Sequence, residues 1–392
     1  MPANTHESRG WRSVGLLLLA VGWGANHFAS LLPVYRRLLA LDAAAPQLLF
    51  GMYALGLVPG LLLAGPLSDR VGRRAVVLPA AAIALVASVV LGACGASFGG
   101  LLSGRFAYGL GAGGVMGAGA VWLIELSRDA LPGGGARRTT IALSSGFGLG
   151  PLVTGVLAQV APGPTVLPYA IHVALLVCAL LIARLAPDTG ERKQSAGPLL
   201  RIELDREGWW TFLRSVAPMA PFVFGFPAIA FAALPSMLGA AVGPAPTVFT
   251  GVLCAITLAA GVLAQPIGRR FDPTLAGRLG VFVGAVGLAL GAAALAARTP
   301  LALLVVAPIL GAAYGVCMTA GLQCAQRLAR PEARGGVAGL YYVLTYLGFA
   351  APYLLALVTR VVTPVVALGL TALLAAVVAL SLPRSTITRP SR

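Results

Sequence analysis

Charge is what this sequence has least of: Asp, Glu, Lys and Arg make up 10% of its 392 residues, against 58% hydrophobic residues. With a mean hydropathy of +0.89, too few polar side chains remain to cover a water-soluble protein of this size, which excludes an ordinary soluble enzyme and makes lipid the solvent. Lysine is nearly missing: Lys193 stands alone beside 27 arginines, which together with the Ala and Gly excess points to a GC-rich bacterial genome. There are three histidines, and the twelve acids all fall in or beside polar segments. No catalytic or metal-ligating constellation can be assembled from these, so neither an enzyme nor a metal or other cofactor is expected. The five cysteines, Cys94, Cys178, Cys254, Cys317 and Cys324, sit within or at the ends of apolar stretches, which argues against disulfides. Clusters of basic residues interleaved with aromatics are missing as well, so the formal net charge of +16 does not indicate nucleic acid.

What is abundant is apolar sequence. Stretches at 13–34, 46–67, 75–96, 99–124, 139–160, 166–186, 211–235, 247–267, 278–297, 300–325, 335–358 and 363–382 make twelve candidate spans, each near the ~20 residues a membrane helix needs. Helices are expected because lipid offers backbone groups no partner outside a helix or closed barrel, and the short alternating strands of a barrel are missing. With the amino terminus placed in the cytoplasm, 23 of the 28 cations fall in inside segments. Only Arg36, Arg37, Arg298 and Arg360 lie outside, and Arg105 lies within the fourth span. That asymmetry obeys the positive-inside rule, and a missed span would have inverted every later loop. Pro33-Val34-Tyr35 and two arginines follow the first span where a cleavage site would be, so it reads as retained. Both termini are expected in the cytoplasm, with the chain multi-pass in a bacterial inner membrane.

The longest polar segment, 187–210, divides the spans six and six, giving bundles at 1–186 and 211–392 joined by a cytoplasmic linker with no apolar core of its own. A shift of 202 residues lays Gly109, Gly113, Met116 and Gly119 on Gly311, Gly315, Met318 and Gly321, an internal repeat expected of two related halves around a central pathway.

Three motifs stand out. Gly65-Pro66-Leu67-Ser68-Asp69-Arg70-Val71-Gly72-Arg73-Arg74 places four charges in a turn between the second and third spans. In the fourth span, Gly104-Arg105-Phe106-Ala107-Tyr108-Gly109 carries the one arginine in a span interior, a group expensive to bury without a partner or a wet cavity. In the fifth, Gly146-Phe147-Gly148-Leu149-Gly150-Pro151-Leu152-Val153-Thr154-Gly155 combines a close-packing face with a helix-bending proline. Together these resemble the major facilitator superfamily of secondary transporters, and the third resembles its antiporter motif, with Thr154 departing from the usual glycine. The resemblance implies an all-α integral membrane protein of two six-helix bundles working by alternating access. It further implies a conformational latch in which Asp69 sits near the start of the eleventh span, while Arg70 or Arg73 pairs with the acid closing the fourth span, here Glu125. Gly65, Gly72 and Arg74 belong to the same turn. Arg105 is implied in proton transfer or substrate contact, and Gly146, Gly150, Pro151 and Gly155 in antiport.

Proton-driven relatives often carry a carboxylate in mid-membrane, and none is present here. Asn26 and His27 in the first span are the substitutes, with His172 in the sixth a second candidate, since imidazole titrates near neutrality. Packing or hydrogen bonding across helices is the plainer reading of each. Trp23, Phe222, Phe226 and Tyr314 are candidates to line a pocket, alongside Tyr341, Tyr342 and Tyr346, although packing accounts for most membrane aromatics. A cavity without acids suits neutral or anionic compounds. The expected function is proton-coupled efflux of a small organic compound or drug, the alternative being proton-coupled uptake of a sugar, organic acid or amino acid. The partners are then substrate, protons and lipid, and the chain is expected to act as a monomer.

Overall fold

The computed structural model describes residues 10–127, 133–189, 202–330 and 333–383. Every apolar stretch is helical, and no strand occurs among the described residues. Among the described residues, eleven helical stretches are long and apolar enough to cross a bilayer. The sixth expected span is shorter, the 17-residue Leu167–Ala183, or about 25 Å of helix against a hydrocarbon core of about 30 Å.

In the first half, α1 (Gly10–Leu38), α2 (Ala45–Val71), α3 (Arg73–Ala93) and α4 (Phe98–Gly114) come first. A π turn at Val115–Gly119 carries α4 into α5 (Ala120–Glu125), and α6 (Gly134–Val160) and α7 (Leu167–Ala183) follow. The second half opens with α8 (Arg206–Ser215) and α9 (Ala220–Ala228), which passes through a π turn at Ile229–Ala233 into α10 (Leu234–Leu238). Then come α11 (Pro246–Gly268), α12 (Pro273–Ala296), α13 (Leu303–Leu328), α14 (Arg334–Tyr346), α15 (Ala351–Val358) and α16 (Pro364–Ser381).

Two compact units result, one of residues 10–41 and 52–189, the other of 42–51 and 202–383. The second unit thus includes the first turns of α2, where Gln47 Nε2 donates to the Ala232 carbonyl at 3.2 Å and Asp42 pairs with Arg360. Of the expected linker, residues 190–201 lie outside the described residues, as do most of the two termini. Its last residues are not linker: Asp205 caps the amino terminus of α8 by accepting from Gly208 N at 2.7 Å, so helix begins five residues before the expected span.

Small residues set the packing. A Cβ on Gly109 would stand 2.0 Å from the Tyr53 carbonyl oxygen, and one on Gly113 2.3 Å from that of Leu57. Their repeat partners behave alike, Gly311 at 2.1 Å from Thr257 O and Gly315 at 1.9 Å from Gly261 O. The repeat is therefore a packing rule used twice: the fourth and tenth spans touch the second and eighth backbone to backbone. Large apolar side chains turn outward instead, with Val86, Leu263, Val305 and Leu380 each more than 60% exposed. This inverts the soluble pattern and suits a lipid-facing surface.

Candidate functional site

Arg105 on α4 is completely buried. Its guanidinium lies 4.5 Å from the ring centre of Phe28 on α1 and 4.8 Å from that of Tyr53 on α2. Aromatic faces supply the negative potential a carboxylate would otherwise give, an interaction worth about 2 kcal/mol when desolvated. On the α1 side, the His27 ring lies 5.0 Å from His172 and 4.8 Å from Tyr169, both on α7. His172 Nε2 is 3.0 Å from the Ala20 carbonyl. A carbonyl only accepts, so Nε2 carries the hydrogen and Nδ1 keeps its lone pair in the neutral ring. Tyr108 OH donates to the Val21 carbonyl at 2.8 Å, and Tyr35 OH to Tyr169 OH at 3.3 Å. His27 Nδ1, His172 Nδ1, Trp23 Nε1 and Thr154 Oγ1 are buried with no hydrogen-bond partner. Each such atom costs about 1–3 kcal/mol of stability.

Trp23, Asn26, His27 and Arg105 were singled out from sequence, and the first unit buries the last three. Phe28, Tyr35, Tyr53, Tyr108 and Tyr169 escaped that reading. Tyr108 is three residues from Arg105 and shares its helix face. The rest come from other helices, where no sequence spacing relates them to Arg105.

The α1–α6 contact explains the third motif. A Cβ on Gly146 would meet Leu19 O at 2.2 Å, and one on Gly150 would meet Trp23 O at 2.4 Å. At the next residue, the Pro151 carbonyl accepts from Ser30 Oγ at 2.7 Å. Gly155 and Thr154 are buried on the same helix.

The charged turn is built around Arg73, the first residue of α3. Its Nη2 donates to Glu125 Oε1 at 2.9 Å, and its Nη1 donates to Ser68 Oγ at 2.7 Å and to Asp69. Arg73 thus meets Glu125. Gly72 has φ +104°, a conformation that disfavours a side chain, and a Cβ there would stand 2.5 Å from Asp188 Oδ2. Asp188 in turn accepts from Arg73 N at 3.0 Å and Arg74 N at 3.3 Å, an anion at a helix amino terminus. Thr189 Oγ1 donates to Glu125 Oε2 at 2.5 Å, and Trp122 Nε1 to the Pro187 carbonyl at 2.9 Å. Residues 187–189, read from sequence as the start of a solvated linker, are therefore part of the turn's own network. A Cβ on Gly65 would meet nothing within 4 Å, so packing does not require that glycine.

In the second unit Phe224 stacks on Tyr346 with centroids 4.7 Å apart and lies 5.6 Å from Tyr314 and 5.2 Å from Phe349. Phe222 is partly exposed, 5.4 Å from Phe226. Phe226 itself is wholly buried, its ring filling the space a Cβ on Gly284 would occupy at 2.0 Å.

Helical halves with a repeated glycine rule, a buried arginine and a charged turn locked to the fourth span agree with one further observation: the profile of the Major Facilitator Superfamily matches residues 14–352. The chain belongs to that superfamily. Over 77 residues it is 43% identical to multidrug resistance protein MdtL of Escherichia coli (strain UTI89 / UPEC), a stretch covering 19% of each protein. The chain thus spans about a fifth of the length of the curated relatives it matches. Among solved structures, a peptide transporter POT in complex with alafosfalin superposes with a TM-score of 0.79 at 14% identity, covering 95% of this chain and 93% of that one. The nucleoside transporter NupG superposes with a TM-score of 0.75 at 13% identity, covering 96% and 98%. At such identities the likeness is one of fold.

Proposed function

We propose that this superfamily member is a proton-coupled exporter of a small organic compound, working by alternating access in a bacterial inner membrane with both termini in the cytoplasm. The observation that carries the proposal is the buried nest of Arg105, His27 and His172. It offers two imidazole lone pairs able to take a proton and a fixed cation able to hold an anionic or polar group. The close α1–α6 approach at Gly146 and Gly150 and the short similarity to a multidrug resistance protein favour export. Asp69, Arg73 and Glu125 form the latch that holds one conformation until transport releases it. Trp23, Phe222, Phe226 and Tyr314 are the pocket candidates.

Proton-coupled uptake is favoured by one feature of the same nest: its charge is cationic and its other polar groups are imidazoles, phenols and hydroxyls. An anion arriving beside Arg105 makes protonation of His27 easier, so anion and proton bind together rather than compete. Everted membrane vesicles, acidic inside, separate the readings when neutral, anionic and cationic compounds are added. Compound-triggered proton release that disappears in Arg105→Gln supports export. Compound movement only alongside protons, in the same direction, replaces it with uptake.

A further inference from the structure

The helix α8 carries its large side chains on the wrong side for a helix beside water. At 100° per residue, Gly208, Phe212 and Ser215 share one face, and all three are buried. The opposite face presents Trp209, Leu213 and Trp210, which are 39%, 50% and 54% exposed. Arg206 falls within that face and Arg214 at its edge, the latter 5.7 Å from the Trp210 ring centre. Glu207 is exposed beside Arg214, while Asp205 is occupied with the cap. Two tryptophans and a leucine interrupted by arginine are poorly suited to water, and arginine is poorly suited to the hydrocarbon interior.

Length fixes where such a face can lie. The helical stretch Arg206–Val242 has 37 residues, roughly 55 Å at 1.5 Å per residue, against a hydrocarbon core of about 30 Å. Its first turns must leave the hydrocarbon. Pro218 and Pro221 interrupt the stretch directly after α8, and Ala217 N reaches back to Phe212 O at 2.9 Å, so α8 ends as a separate element before the span proper begins. An element that adjoins a membrane helix and exposes tryptophan and arginine meets the headgroup layer. There indole rings partition, and guanidinium groups pair with phosphate.

We propose that α8 is an interfacial docking site for acidic phospholipid. Trp209, Trp210 and Leu213 enter the headgroup–acyl boundary of the adjacent leaflet, and Arg206 and Arg214 hold lipid phosphates. The site is independent of what the protein transports and of its direction.

The test uses the full chain in lipid nanodiscs, comparing native protein with Trp209→Phe/Trp210→Phe, the difference in fluorescence isolating the two indoles. Lipids brominated near the carbonyl end of the acyl chain should quench that difference signal more than lipids brominated near the chain middle. Energy transfer from the same indoles to dansyl-labelled phosphatidylglycerol should exceed transfer to dansyl-labelled phosphatidylcholine. Arg206→Gln and Arg214→Gln should each reduce that preference roughly fivefold. A difference signal quenched by aqueous iodide but not by bromolipid would overturn the proposal, placing the face in water. Protection from both quenchers only when two copies share a disc would overturn it in favour of a second copy of this chain. Bromolipid quenching without preference for the anionic lipid would overturn the acidic-phospholipid assignment. Matching elution of the variants and native protein shows that each reading comes from folded protein.

Discussion

His27 and Arg105 are each within reach of sequence reasoning, because a titratable group in an apolar run is conspicuous, but what surrounds them is not. Sequence places His27 and His172 145 positions apart, and only the fold brings their rings to 5.0 Å. It likewise places Phe28 and Tyr53 on other helices than Arg105, and only the fold brings their rings to 4.5 and 4.8 Å from its guanidinium. His27→Gln keeps a similar volume and hydrogen-bonding capacity but cannot titrate. Transport by this variant should lose most of its pH dependence, measured as initial rates in vesicles of fixed gradient. An unchanged profile would remove His27 from the proton path. Asp188 makes the opposite point: a charge that sequence assigns to a solvated linker caps a helix, because the chain doubles back onto the turn at Gly72.

At the level of elements, the glycine pattern was legible and its partners were not. A small residue every fourth position says that some helix comes close, and the fold names it as α1 for Gly146 and Gly150. Gly150→Val should cost about 1–3 kcal/mol of stability, read as a lower melting temperature in detergent. Gly148→Val, on the same helix with nothing within 4 Å of its Cβ, should leave it nearly unchanged. Equal losses would mean that helix propensity and not the α1 backbone decides. Asp272 offers a second test, at the start of α12. Partial burial opposes its ionisation, but the Thr274 hydroxyl, the amides of Thr274 and Leu275, and Arg327 outweigh that and hold its carboxyl below the usual value. Its contribution is therefore present above the ordinary carboxylate range and fades as pH falls through the depressed value. Asp272→Ala should remove about 1 kcal/mol near neutrality and less at the acid end. A deficit that grows on acidification would contradict the cap.

For the whole molecule, the charged turn is where local contacts and global motion meet. Arg73 binds Glu125, Ser68 and Asp69 at once, so releasing the turn means breaking several charge-assisted bonds together. Asp69→Asn should slow transport while leaving substrate affinity largely intact, as measured by equilibrium binding beside initial rates. Weaker binding with a normal rate would contradict a latch. By itself the sequence determined the solvent, the helical class and the number of apolar segments, because each follows from composition or from periodicity along the chain. The tertiary structure decided the rest: that Phe28 and Tyr53 lie against Arg105, that His27 faces His172, that Phe226 lies against Gly284 and that α8 turns tryptophans outward. Those facts depend on which helices are neighbours, and in a chain so rich in Ala, Gly and Leu the spacing of residues along one helix does not encode the identity of the next.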